Sequence, residues 1–141
     1  KLIQDGKVIP KSSEEEKIVF HDSCYLGRHN GIYDAPREAL KTNSIKEIEQ
    51  NRESGTCCGA GGARFLLEEN TGTRMSHHRL DELMVNEPNT IAVSCPYCVL
   101  MLEDAVKAKV KELSLVISQL KKENVKILNE YDFEKCLQDQ I

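Results

Sequence analysis

Five of the six cysteines in this chain fall into three groups whose spacing could do chemistry. Cys24 stands alone, Cys57 and Cys58 are adjacent, and Cys95 and Cys98 form a CxxC, so the chain reads C-x32-CCG-x35-CxxC. The sixth, Cys136, lies in a polar tail without a partner motif and reads as a bystander. Thiolates are soft donors suited to zinc and iron–sulfur clusters. A CxxC at a helix start aims two sulfurs the same way, and the first helical N–H groups favour the thiolate form. Neighbouring residues in a strand point to opposite faces, so Cys57 and Cys58 reach one site only from a sharply turned loop. Gly55, Gly59, Gly61 and Gly62 supply that freedom and let backbone N–H groups approach sulfur. Tetrahedral zinc takes four ligands, and an ordinary [4Fe–4S] cluster takes four cysteines. A fifth thiolate is a surplus, which points to an unusual cluster or to a separate reactive sulfur. Two other readings stay open. One is a zinc-binding structural or interaction module using four of the five cysteines. The other is a thiol–disulfide exchange protein using Cys95 and Cys98, which leaves Cys24, Cys57 and Cys58 without a task.

The elements that must position these groups follow from periodicity. Lys17–His21 is a β-branched and aromatic run, read as a strand that delivers Cys24 just past its C-terminal end. A glycine-rich turn spans 27–31, and Pro36 suits the first turn of a helix reaching about Lys41. Ile45–Gln50 is a weaker strand, and the loop 51–56 delivers Cys57 and Cys58. A helix is expected after Gly62, broken near 70–72 and resuming from Thr73 to Asn86 with Leu80, Leu83 and Met84 as its apolar stripe. Thr90–Val93 has the composition of a strand buried on both faces. It ends at Ser94-Cys95, and a helix begins inside the CxxC. A further helix carries Leu113, Val116, Ile117 and Leu120, and Val125 with Ile127 suggests a last short strand. This alternation predicts an α/β fold, a small mainly parallel sheet flanked by helices, with the cysteines gathered at one sheet edge. The expected organisation is a flexible N-terminal linker over 1–17, a cysteine-rich domain over 18–128 and a C-terminal tail over 129–141.

Composition narrows the classes. The 141 residues are 40% hydrophobic and 30% charged, as in an ordinary soluble domain, and the net charge of -4 argues against a nucleic-acid binder. The longest apolar run, Val99–Leu102, is far shorter than the roughly 20 residues that span a bilayer. The sequence opens at Lys1 without a signal segment, and we read it as a piece of a longer chain. Clustered cysteines without a secretory signal suit the reducing cytoplasm. His21, three residues before Cys24, reads equally well as a hydrogen-bond donor to a site sulfur or as a satisfied histidine at a strand end. Arg28 reads as a cation near the thiolates, and Tyr25 and Tyr97 as shields against water or as core.

The words around the cysteines carry a resemblance. His21-Asp22-Ser23-Cys24-Tyr25-Leu26-Gly27-Arg28, Cys57-Cys58-Gly59-Ala60-Gly61-Gly62 and Ser94-Cys95-Pro96-Tyr97-Cys98 resemble the CCG cysteine-rich domain found in heterodisulfide reductase and its relatives. The wording looks in particular like the C-terminal domain of iron–sulfur oxidoreductases linked to electron-transfer flavoprotein. The resemblance implies a [4Fe–4S] cluster of noncubane form engaging Cys24, Cys57, Cys58, Cys95 and Cys98. It further implies an electron-transfer domain of a heterodisulfide reductase-like oxidoreductase, relaying electrons from a flavoprotein toward a quinone or a disulfide. The partners implied are other iron–sulfur and flavin subunits, and the place is the cytoplasm, at the inner face of the membrane through a partner. Three features depart from the pattern. Ser23 stands where proline is common, which should loosen the approach to Cys24. One CCG set is present where many relatives have two. The chain has no CxxCxxCxxxC run, so any partner clusters and flavin must sit elsewhere.

Overall fold

The run Ile18-Val19-Phe20 is apolar and β-branched at both faces of a strand, and such a run is satisfied only where helices cover both sides. In the computed structural model, which describes residues 2–3, 5–9, 17–40, 44–67 and 72–122, this run forms the central strand. β1 (Lys17–His21) lies between β2 (Ser44–Lys46) and β3 (Thr90–Val93) in a three-stranded sheet of order β2-β1-β3. Both pairings are parallel, with Lys17 opposite Ser44 and Ile18 opposite Thr90. Ile18, Val19, Phe20 and His21 are all buried.

Helices α1 (Asp34–Ala39), α2 (Met75–Leu83) and α3 (Pro96–Lys122) connect and follow the strands. Helix α2 buries Ser76, Arg79, Leu80 and Leu83, an i, i+3, i+4, i+7 stripe with one charged member. Val19, Ile48, Leu80, Leu83, Leu102 and Ala105 form the main core, with Ile91 and Val93 packed against it. Each large side chain buried this way contributes about 1.5–3 kcal/mol. Pro96 opens α3 at a position where a missing N–H costs nothing, and the first helical bond runs from the Val99 N–H to the Cys95 carbonyl at 3.1 Å. Contacts divide the chain into two compact units, Lys1–Lys107 and Ala108–Ile141. The sheet, the core and all five grouped cysteines belong to the first.

Parallel pairing puts the C-terminal ends of β1 and β3 at the same edge, and that edge is stitched by charge. The Arg37 guanidinium of α1 grips Asp22 with two bonds, Nη1 to Oδ1 at 2.8 Å and Nη2 to Oδ2 at 2.9 Å. It also donates to the Glu47 carboxylate beyond β2 and to the Tyr33 carbonyl, and it lies over the Phe20 ring. Asp22 accepts in addition the Arg52 N–H at 2.8 Å, which ties down the start of the loop leading to Cys57.

The expected elements appear with three differences. The second strand covers Ser44–Lys46 only, although Ile48 still enters the core. After Gly61 the chain forms 3-10 turns over Gly61–Leu66 instead of an α-helix, because Gly62 and Ala63 take φ of 67° and 61°, and consecutive left-handed residues break the hydrogen-bond ladder. The two helices expected after the CxxC are one, since no glycine or proline interrupts 99–122. The suggested strand at Val125 and Ile127, the tail 129–141 with Cys136, and residues 10–16 of the linker lie outside the described residues.

Candidate metal centre

Cys24, Cys57, Cys58, Cys95 and Cys98 line one cavity of about 560 Å³ at the C-terminal edge of the sheet. Three segments distant in sequence bring them there. Cys24 sits in the turn leaving β1, where the Gly27 N–H donates to the Ser23 carbonyl at 2.9 Å and the His29 N–H to the Cys24 carbonyl at 3.0 Å. Ser23 is buried in this turn, and its hydroxyl accepts the Leu26 N–H at 3.4 Å. Cys95 and Cys98 bracket the first turn of α3, directly after β3.

The adjacent pair arrives through a loop held from both sides. The Arg28 guanidinium donates to the Gly55 carbonyl at 2.8 Å, clasping the Cys24 turn to the Cys57 loop. Arg28 thus clasps the two segments together, and it lines a small pocket with Cys24 and Cys57. Thr56 Oγ1 donates to Glu82 Oε1 of α2 at 2.8 Å. Gly59 then takes φ of 90°, turning the chain sharply after the pair, and its N–H donates to Cys57 Sγ at 3.3 Å. A Cβ at Gly59 would lie 3.0 Å from Met75 Cβ. Gly59→Ala is expected to cost about 1–3 kcal/mol through left-handed strain and this contact, read as a lower urea midpoint with unchanged slope.

Cys58 and Cys98 are buried with their sulfurs 3.3 Å apart and no disulfide between them. The Cys98 thiol donates to Cys58 and, against the cost of burial and with help from His21, holds the Cys58 thiol down to about 4. The same bond, together with burial, pushes Cys98 far above the ordinary thiol range. Burial also raises Cys24, and the negative charges of Cys57, Cys58 and Cys95 raise it further. Thiols crowded in this way resist ionising together, and a cation at their centre relieves that resistance. Tyr25 and Tyr97 form part of the cavity wall but are 75% and 52% exposed, so they are not core residues. Phe65, which no motif or periodicity singles out, packs on Tyr97 with ring centroids 5.3 Å apart.

Behind the sulfurs lies a buried polar layer. His21 is 1% exposed, and one of its ring nitrogens and the Cys58 and Cys98 sulfurs lie within 4.8 Å of one another. Arg79, fully buried on α2, donates from Nε to His21 Nδ1 at 3.0 Å and from Nη1 to the Gln50 carbonyl and to Glu82 Oε2. Motif spacing does not point to Arg79, yet it leaves one signal in the sequence: a charged residue falling on the stripe of Ser76, Leu80 and Leu83.

The chain belongs to the CCG cysteine-rich domain family, whose model matches residues 18–103. It is 46% identical over 114 residues to the probable iron–sulfur-binding oxidoreductase FadF of Bacillus subtilis, which covers 79% of this chain and 16% of that protein. It is 44% identical over 123 residues to the EtfAB:quinone oxidoreductase of Syntrophomonas wolfei, covering 81% of this chain and 17% of that one. A third relative is one polypeptide of the dihydromethanophenazine:CoB–CoM heterodisulfide reductase of Methanosarcina barkeri, 31% identical over 106 residues, with 73% of this chain and 26% of that polypeptide covered. The chain therefore spans only a small part of the length of these relatives. No solved structure matches it significantly. Among the described residues no helix is long and apolar enough to cross a membrane.

Proposed function

We propose that this chain is an iron–sulfur electron-transfer domain of a heterodisulfide reductase-like oxidoreductase. In this reading Cys24, Cys57, Cys58, Cys95 and Cys98 hold one [4Fe–4S] cluster. The observation that carries it is the convergence of five cysteines, from three distant segments, on one cavity. The donor set fits such a group: all sulfur, and one ligand more than a single zinc or a cubane accepts. The noncubane form accommodates that fifth sulfur. When bound, the cluster supplies one-electron chemistry. The chain's own residues hold it, wall it from water with Tyr25, Phe65 and Tyr97, and place it near the surface, where a partner can approach. The relatives, a probable iron–sulfur-binding oxidoreductase, an EtfAB:quinone oxidoreductase and a heterodisulfide reductase polypeptide, support a relay from a flavoprotein toward a quinone or a disulfide. Other iron–sulfur and flavin domains, electron-transfer flavoprotein among them, are the partners this implies. A probable membrane-anchored ferredoxin among the relatives supports a place at the cytoplasmic face of a membrane, reached through such a partner.

Metal and sulfide analysis of anaerobically purified protein tests the reading. Brown protein with bound iron and acid-labile sulfide is expected. Colourless protein with one tightly held zinc would make the chain a zinc-binding module, and metal-free protein with a reversible dithiol would make it an exchange protein. Removing the metal should also loosen the site. Residues 24–31 and 55–62, whose thiolates then repel, should exchange amide hydrogens faster in the stripped chain than in the loaded one. Equal protection in both states would contradict this.

A further inference from the structure

His21 with Cys58 and Cys98 makes a buried His–Cys–Cys triangle whose ligand atoms lie within 4.8 Å of one another, a spacing that invites reading the histidine as a metal ligand. The second ring nitrogen contradicts that. A histidine that ligates through one nitrogen ordinarily donates the N–H of the other to a carboxylate or carbonyl. Here the partner of Nδ1 is the Arg79 Nε–H, 3.0 Å away. A guanidinium has five donors and no acceptor, so Nδ1 must offer its lone pair. The ring hydrogen is left on Nε2, which then has no lone pair for a metal.

We infer that His21 is a fixed hydrogen-bond donor to the Cys58 sulfur and not a ligand, and that Arg79 is the positioning residue that sets its tautomer. One ring nitrogen lies within 4.8 Å of both sulfurs, and with Nδ1 committed to Arg79 this reading gives that place to Nε2. Arg79 cannot turn away freely: it is 0% exposed, and Nη1 is held by the Gln50 carbonyl at 2.8 Å and by Glu82 Oε2 at 2.7 Å. Glu82 in turn accepts from Thr56, two residues before Cys58, so the layer that orients the ring also anchors the loop bearing the sulfur. A donor to a thiolate sulfur stabilises the more negative, reduced cluster and raises its potential. This last consequence rests on the iron–sulfur reading; the tautomer does not.

The experiment has two arms. The first is a long-range proton–nitrogen NMR correlation of the ring of His21 in the reduced, metal-free chain. A single Nε2–H tautomer is expected, giving way to a mixture in Arg79→Met. An Nδ1–H tautomer in the unsubstituted chain, or an unchanged spectrum in Arg79→Met, would overturn the assignment. The second compares reconstituted His21→Leu and His21→Gln with the unsubstituted chain. Equal iron per chain is expected in all three, with a lower midpoint potential in His21→Leu and recovery in His21→Gln, whose amide keeps a donor. Loss of iron from folded His21→Leu would make His21 a ligand, and an unchanged potential would remove its role; either overturns the inference. If the unsubstituted chain takes up no iron, the proposed function fails, while the NMR arm still decides the tautomer.

Discussion

Replacing Cys58 by serine is expected to abolish iron binding, while replacing Cys136 leaves the iron content unchanged. Cys58 is one of the two buried sulfurs of the site, 3.3 Å from Cys98, and delivered by a loop that Gly59, Arg28 and Thr56 fix in place. A serine oxygen is a harder donor and a far weaker acid than a thiol held near 4, so it neither ionises nor bonds iron well there. Cys24→Ser and Cys95→Ser should lose cluster iron as well: the first removes the one site sulfur of its segment, and the second leaves Cys98 alone in its own. Iron and sulfide per folded chain, compared across the four variants, are the readout. Full iron content in Cys58→Ser, Cys24→Ser and Cys95→Ser alike would sink the ligand assignment.

Arg37→Met is expected to be the most destabilising single change away from the cysteines, at about 3–5 kcal/mol at neutral pH. The guanidinium is nearly buried against Phe20 and holds Asp22 with two bonds; its removal leaves the Asp22 carboxylate enclosed with only the Arg52 N–H. Glu47, 41% exposed, adds little to this cost. The loss has a pH signature. Burial alone would raise the Asp22 carboxyl, but the Arg37 hydrogen bonds, the Arg52 N–H and the charge of Arg37 outweigh it and hold it below the ordinary carboxylate value. The same pairing raises Arg37, which stays charged throughout. A depressed carboxyl contributes stability that is present above its unfolded value, near 4, and lost as pH falls through the lower folded one. Urea unfolding should therefore show the gap between the unsubstituted chain and Arg37→Met narrowing as pH drops below about 4. A gap independent of pH would mean that the packing on Phe20, and not the ion pair, carries the effect.

How much of the molecule is legible in its sequence follows a physical division. β1 and β3 can be read to the residue, because Ile18-Val19-Phe20 and Thr90-Ile91-Ala92-Val93 are compact apolar runs suited to a parallel sheet. Only β1 is buried on both faces, while β3, at the sheet edge, is half-buried along its length. Parallel pairing then places Cys24 and Cys95 at one edge, as expected. The Gly61–Leu66 segment defeats periodicity: its glycines resemble a helix entry, whereas Gly62 and Ala63 both adopt left-handed backbone that no apolar period announces. Helix α3 looks like two helices in sequence because its apolar stripe drifts near Lys109, a drift that does not break a helix lacking glycine or proline. Arg37 and Arg79 are hidden for a different reason. Both are surface residues by type, and their burial is fixed by Asp22, Glu47, His21 and Glu82, partners that lie up to 58 residues away in the chain.

The proposed function stands or falls with one cavity, bounded by sulfurs from three segments, that houses iron and sulfide. The decisive measurement is anomalous X-ray scattering at the iron edge from crystals of anaerobically prepared chain. Iron peaks lying among Cys24, Cys57, Cys58, Cys95 and Cys98 are expected. Crystals of protein that carries iron in solution but shows no iron among those sulfurs, or shows it elsewhere on the surface, would contradict the assignment.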